Sequence, residues 1–446
     1  MRLPVFDRRR AGVLLPLSAL EAPLGRGGRE FLDFLAASGF SVWQMLPVAP
    51  TGADGSPYWA RSDAAGDPRY LDPAELPPQG PIDSRFLAEN AAWLPDYALF
   101  AALTRAQGGA PFWDWPAALR DREPRSLEAA RVTLAAELTR IEHEQYAFHL
   151  QWQGLRAHAS RRGVRLFGDV PFYVAPSSVE TWVHRGLFQL TPEGAPAKVG
   201  GVPPDYFSAK GQMWGNPLYD WPALEAQGFA WWLARMAAQL ARFDLVRLDH
   251  FRAFAAHWAV PASAPDARTG SWEPTPGRPL LERLRGEFAD LPLIAEDLGV
   301  ITDDVRALMR DFRLPGMRVL QFGFDGEPGN PHIPYRHVRE CVAYTGTHDN
   351  DTTLGWYASL DAATRARVDF YCAGGAMPEA LTRAALNSVA ELAVVPMQDL
   401  LGLPTTARLN TPGTSHGNWQ WRLPAGALSA QLAARCAQLN ASFGRS

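Results

Sequence analysis

Cysteine is scarce in this chain of 446 residues: only Cys341, Cys372 and Cys436 occur, widely separated and odd in number. Neither a disulfide framework nor a thiolate metal site is expected from them. Lysine is nearly absent, and almost all of the 43 cationic residues are arginine, which we take as genome composition. A charge excess is missing as well. The formal net charge is −4, and no basic block is present to neutralise phosphates, so no nucleic-acid partner is expected. No uninterrupted apolar run approaches the length of a membrane span, so no membrane partner is expected either. The opening MRLPVFDRRRAG is basic but has no apolar core of the kind a signal peptide needs, and the cytoplasm is the expected location. There is no HExxH pattern and no internal repeat.

What is present is a globular composition, with 47% hydrophobic and 20% charged residues. The length suits a barrel with insertions. Eight short apolar runs recur: 11–15, 41–48, 164–170, 244–249, 292–297, 316–322, 341–347 and 391–397. Each is strand-length and mostly apolar, as strands buried on both faces are. Helical patterns lie between them at 29–39, 126–162, 229–243 and 302–312. Gly39 and Gly163 end the first two, and Thr302 stands where the last would be capped. Alternating strands and helices predict an α/β (β/α)8 TIM barrel with large loop and helical insertions. A doubly wound open sheet is the alternative. We expect one catalytic domain over 1–446, with insertions at about 52–160 and 175–240. Residues 52–82 and 192–222 read as loop, the second as a lid or cleft wall.

The chemical signal is positional. Asp169 ends the third run, Asp249 the fourth, Glu296 and Asp297 the fifth, and His348 and Asp349 follow the seventh. In a barrel, groups at the C-terminal ends of strands converge on one mouth. One such aspartate alone reads more readily as a helix cap; acids from several strands are harder to explain that way. Two carboxyl groups flanking a bond are what retaining glycoside chemistry requires, and a third can favour the distorted sugar. Arg247, two residues before Asp249, faces the same side of its strand and would hold that acid ionised. A metal site using His250, His348, Asp349 and Asp351 is the rival, but ligand spacing for it is missing. His250 and Asp297 point away from the acids if their strands stay regular.

Several motifs resemble the conserved blocks of the 4-α-glucanotransferases, glycoside hydrolase family 77. They are VRLDHF (246–251), AEDLGV (295–300), TGTHDNDTTLGWY (345–357), FGDVPFYV (167–174), VPPDYFSAKGQMWGNPLYDW (202–221), WQMLPVAPTGADGSPY (43–58) and PGTSHGNWQWR (412–422). They occur in the family's order across nearly the whole chain. The resemblance implies a (β/α)8 barrel with insertions and no separate C-terminal β domain. It also implies Asp249 as nucleophile, Glu296 as general acid/base and Asp349 as transition-state stabiliser. Arg247, Asp169 and His348 match supporting positions, and Tyr58, Gln212, Trp214 and Asn418 match glucan-contacting ones. The family's YGDSPY reads ADGSPY at 53–58 here, and Trp59 replaces its usual Gln. These departures bear on substrate length, not on the reaction class.

The implied activity is transfer of α-1,4-glucan segments to the 4-hydroxyl of an acceptor, with α-1,4-glucan donors and maltooligosaccharide or glucose acceptors as partners. No cofactor is implied, and calcium is not expected because no ligand cluster is legible. An α-amylase-type retaining hydrolase shares the same acids, and a silent glucan-binding protein would need only the aromatics. The 202–221 segment, with Tyr206, Phe207 and Trp214, is where exclusion of water is expected.

Overall fold

The structure, a computed structural model, describes residues 3–446 except 53, 79, 205–208, 289 and 415. Its first six strands are β1 (Arg10–Leu14), β2 (Val42–Gln44), β3 (Arg165–Val170), β4 (Lys198–Val202), β5 (Gln212–Pro217) and β6 (Leu245–Leu248). Then come β7 (Ala256–Pro261), β8 (Ser271–Pro274), β9 (Leu293–Ala295), β10 (Gly316–Val319), β11 (Cys341–Tyr344) and β12 (Leu392–Pro396). Eight of them form one parallel sheet in the order β10-β11-β12-β1-β2-β3-β6-β9. The two outer strands meet where Ala295 N–H donates to the Pro315 carbonyl at 2.8 Å. The sheet therefore comes round on itself as a (β/α)8 barrel, not an open doubly wound sheet. All eight apolar runs supply its strands.

Alternation along the strands decides what faces inward. Leu14, Val42, Phe167, Leu245, Ile294, Val342 and Leu392 belong to one buried cluster that fills the barrel. Their neighbours, such as Val13, Trp43, Leu166 and Val246, join a second cluster beneath the helices. Two residues beyond Phe167, Leu245 and Ile294 stand Asp169, Arg247 and Glu296. The same period that fills the barrel with apolar side chains thus raises polar ones at its C-terminal rim.

Helix Arg26–Ala37 ends through Ser38 and Gly39, whose φ of +72° supplies the left-handed turn, and Gly163 (φ +68°) closes helix Ala135–Arg161 likewise. The 126–162 stretch is two helices, Pro124–Thr133 and Ala135–Arg161, broken at Leu134 without a Gly or Pro to announce it. Thr302 does precede helix Asp303–Phe312, but its hydroxyl bonds the Asp304 carboxylate and caps no backbone amide.

The 192–222 segment is not simply loop. It contains β4 and β5, which join β7 and β8 in an antiparallel sheet of order β5-β4-β7-β8. A Cβ at Gly201 would stand 2.1 Å from the Gln212 carbonyl, so the glycine that reads as loop is what lets β4 and β5 approach. This sheet draws strands from both sides of β6 and so extends beyond the expected 175–240 insertion. Among the described residues of 52–82, regular structure is limited to two short 3-10 turns, Pro68–Tyr70 and Pro73–Glu75, and an isolated bridge from Ala60 to Thr51. Among the described residues, no helix is long and apolar enough to cross a membrane.

Candidate active site

Arg247 is the hub of the rim. Its Nη1 lies 2.9 Å from both carboxylate oxygens of Asp169, and its Nη2 lies 2.7 Å from Asp249 Oδ1. One guanidinium thus ties the exits of β3 and β6. Burial would lower its pKa, but the Asp169 and Asp249 carboxylates outweigh that and hold it well above its ordinary value. Asp169 has no exposed side-chain surface, whereas Asp249 keeps 28% of its own. Burial pushes the Asp169 pKa up, Arg247 draws it back, and Asp249 adds to the rise. The expectation that Arg247 and Asp249 share a strand face is met.

Tyr58 reaches this centre from the loop after β2. Its hydroxyl donates to Asp169 Oδ2 at 2.6 Å and sits 2.8 Å from His348 Nε2. The phenol has one proton, so His348 is the donor toward the phenol oxygen. Burial and the Asp169 charge hold the Tyr58 pKa well above its ordinary value, which keeps that proton in place. His348 Nε2 is also 3.4 Å from Asp349 Oδ2. Asp169, Arg247, Asp249, Tyr58, His348 and Asp349 therefore form one connected chain of polar groups.

Glu296 is held differently. It is 8% exposed, and its two oxygens accept backbone N–H bonds from His250 (2.8 Å) and Leu298 (3.0 Å). Burial is the main influence, Arg247 opposes it, Asp249 reinforces it, and the pKa is pushed up to about 8. The His250 amide lies on the β9 side of its strand, where the Val246 amide donates to the Pro292 carbonyl at 2.8 Å, and the chain then turns at a left-handed His250 (φ +50°, ψ +49°). Alternation set the His250 side chain aside, and the contact to Glu296 is made by its backbone amide instead. Burial lowers its imidazole to about 4, so it is neutral. Asp297, as expected, faces elsewhere: it accepts from Met317 N (2.6 Å) and Arg318 Nη1 (2.8 Å), clamping the β9–β10 seam.

Trp214 on β5 stands edge-on to the His250 ring, with centroids 4.7 Å apart, so the antiparallel sheet brings it to the rim. Gln212 accepts the Trp214 indole N–H at 3.1 Å and steadies it. Asn418 is occupied within its own turn, accepting from Thr411 N (2.9 Å) and donating to the Thr414 carbonyl (3.0 Å). The residue that this turn delivers is Trp419, about 6 Å by ring centroids from both Tyr58 and His348. Ala53, Tyr206 and Phe207, also singled out from the sequence, lie outside the described residues.

Three contributors were not singled out from the sequence. Asn410 Nδ2 donates to Asp349 Oδ1 at 2.7 Å, and Arg408 Nη2 donates to the Asp349 carbonyl at 2.6 Å. Trp419 is the third. All belong to the loop before the last helix; Trp419 lies inside the recognised GNWQWR segment, and Arg408 and Asn410 precede it. No group of three or more His, Cys, Asp or Glu side chains among the described residues is arranged to hold a metal.

These features define a barrel enzyme whose site is built from carboxylates and one buried guanidinium at the strand ends. The sequence profile of glycoside hydrolase family 77, described as 4-alpha-glucanotransferase, matches residues 15–85 and 80–429. The chain is 42% identical to the 4-alpha-glucanotransferase of Thermus thermophilus, over 98% of both chains. It is 37% identical to the chloroplastic/amyloplastic 4-alpha-glucanotransferase of Solanum tuberosum, over 98% of this chain and 87% of that one. An amylomaltase from Streptococcus agalactiae, solved with acarbose, superposes with a TM-score of 0.94 at 30% identity, covering 98% of this chain and all of that one. The chain belongs to the 4-alpha-glucanotransferase family.

Proposed function

We propose that this chain transfers α-1,4-glucan segments from a donor to the 4-hydroxyl of a maltooligosaccharide or glucose acceptor, by retaining double displacement. The observation that carries the reading is the contrast between two carboxyl groups on neighbouring strands. Asp249 is partly open and paired with Arg247 at 2.7 Å. Glu296 is buried, its carboxylate accepts two backbone amides, and its pKa is pushed up to about 8. Environments that differ in this way assign a nucleophile and an acid. Asp249 attacks the anomeric carbon while Glu296 protonates the departing oxygen, leaving a glycosyl ester on Asp249. Glu296, now the base, deprotonates the incoming hydroxyl. Asp349 stabilises the oxocarbenium-like state between these steps.

The whole chain, 1–446, is read as one catalytic unit. Supporting this, Arg445 donates to the Arg10 carbonyl (2.8 Å) and the Ala390 carbonyl (2.7 Å), tying the last helix to β1 and the start of β12. Three free cysteines favour a reducing compartment, and we place the enzyme in the cytoplasm.

Incubation with maltotriose separates transfer from hydrolysis. Transfer yields glucose and a ladder of longer chains at constant reducing ends. A steady rise in reducing ends without longer products would assign the chain to the hydrolases instead.

Asn410→Ala tests the role of Asp349. A hydrogen bond to a charged group contributes about 1.5–3 kcal/mol, so kcat should fall about tenfold to a hundredfold with KM little changed. An unchanged kcat would mean that Asp349 needs no such anchor.

A further inference from the structure

The rim opposite the carboxylates holds a second concentration of charge. A cavity of about 440 Å³ opens at the N-terminal ends of the barrel strands, lined by Arg8, Arg10, Arg156, Arg165 and Asp244 among others. Arg8 and Arg10 belong to the basic run 8–10, whereas Arg156 and Arg165 lie about 150 residues further along the chain. Strand register gathers them: Arg10 begins β1, Arg165 begins β3, and the β2 residue Val42 pairs with both Gly12 and Arg165. Arg156 comes from the end of helix Ala135–Arg161.

The ordinary reading of such a cluster is structural ion pairing, and part of it fits. Arg10 Nη2 meets Asp7 at 2.8 Å, and Arg156 Nη2 meets Asp244 at 3.1 Å. Asp244 is further used by the Leu166 amide at 2.8 Å. With both acids engaged, cationic groups are left over. Among the described residues, the Arg165 side chain has no hydrogen bond or ion pair, and the Arg8 side chain bonds only the Ser446 oxygen, at 2.8 Å. Arg10 is 5% exposed, yet its Nε has no partner. Burial, and then the neighbouring Arg8 and Arg165, pull the Arg10 pKa down against the support of Asp7. Like charges brought together around a polar cavity, with a buried donor unsatisfied, are what an anion would relieve.

We propose that this cavity binds a phosphate dianion, free or carried as a phosphomonoester on a small polar molecule. Guanidinium forks match phosphate oxygens in geometry and charge. The volume lies within the range of small-ligand sites, and the lining has few apolar side chains, so an organic body there is polar as well.

Calorimetric titration of the intact enzyme with inorganic phosphate, glucose 6-phosphate and glucose tests this, at ionic strength held constant with sodium chloride and with saturating maltotriose present. Saturable one-to-one binding of a phosphate-bearing probe, and none of glucose, is expected. Tighter binding of glucose 6-phosphate identifies a phosphomonoester as the ligand, and equal binding identifies free phosphate. Arg165→Gln should weaken binding at least about tenfold, the loss of one charged hydrogen bond. Arg165→Lys should recover part of it, and both should retain wild-type maltotriose turnover in chloride buffer. Arg8→Gln, at an exposed position, serves as a second variant with the same expected direction. Absence of saturable binding, or equal affinity in wild type, Arg165→Gln and Arg8→Gln, would overturn the site.

Discussion

Asp249→Asn should lower kcat for maltotriose transfer by at least about 10⁴-fold, the scale seen when a covalent nucleophile is removed, while glucan binding persists. The amide is the same size as the carboxylate and can still accept from Arg247 Nη2, now 2.7 Å from Asp249 Oδ1. Removing one partner of a buried ion pair often destabilises strongly because a charge is left alone. Here Arg247 keeps both oxygens of Asp169 at 2.9 Å, so the fold should survive. The variant also removes a negative charge that raises the Glu296 pKa, and that pKa should fall. Product chromatography measures the first effect and quenching of tryptophan fluorescence by maltooligosaccharide the binding. Turnover within about tenfold of wild type, against that 10⁴-fold scale, would sink the nucleophile assignment.

The barrel was legible because its strands are buried on both faces and are therefore mostly apolar. Runs such as Leu245–Leu248 and Leu293–Ala295 stand out for that reason, and the acids beyond them are where the apolar requirement ends. The antiparallel sheet was not legible. Its strand Lys198–Val202 contains Gly200 and Gly201, chosen for close approach and carrying no alternation to read. The acids themselves follow from strand position, but their partners come from far along the chain. Tyr58 lies 111 residues before Asp169 and 290 before His348, and only the family resemblance pointed to it. Asn410 and Arg408 sit in irregular chain, where an Asn or Arg is usually solvated and nothing distinguishes one that bonds a carboxylate. His250 shows a different limit. Its role runs through a backbone amide, which side-chain alternation cannot express.

Glu296 should govern the alkaline side of the pH profile. As the acid it must carry its proton when the donor binds. With its pKa pushed up to about 8, the protonated fraction is high at neutral pH and declines above that value. An ordinary Glu, near 4.3, would be almost wholly ionised at neutrality. So kcat/KM is expected to be level through neutrality and to fall above about pH 8, toward tenfold per pH unit. Glu296→Gln cannot supply the proton, and kcat/KM at pH 7 should drop about 10²–10⁴-fold. Gln also offers only one oxygen to the two amides that now meet Glu296, so a modest loss of stability should accompany it. An α-maltosyl fluoride donor separates the catalytic effect from the structural one, because fluoride departs without needing a proton. Formation of the glycosyl ester from the fluoride should be nearly as fast in Glu296→Gln as in wild type, with no alkaline fall. Its transfer to an acceptor should stay slow, since the base is missing too. A fluoride rate as depressed as the maltotriose rate would mean that Glu296 holds the site together rather than moving a proton.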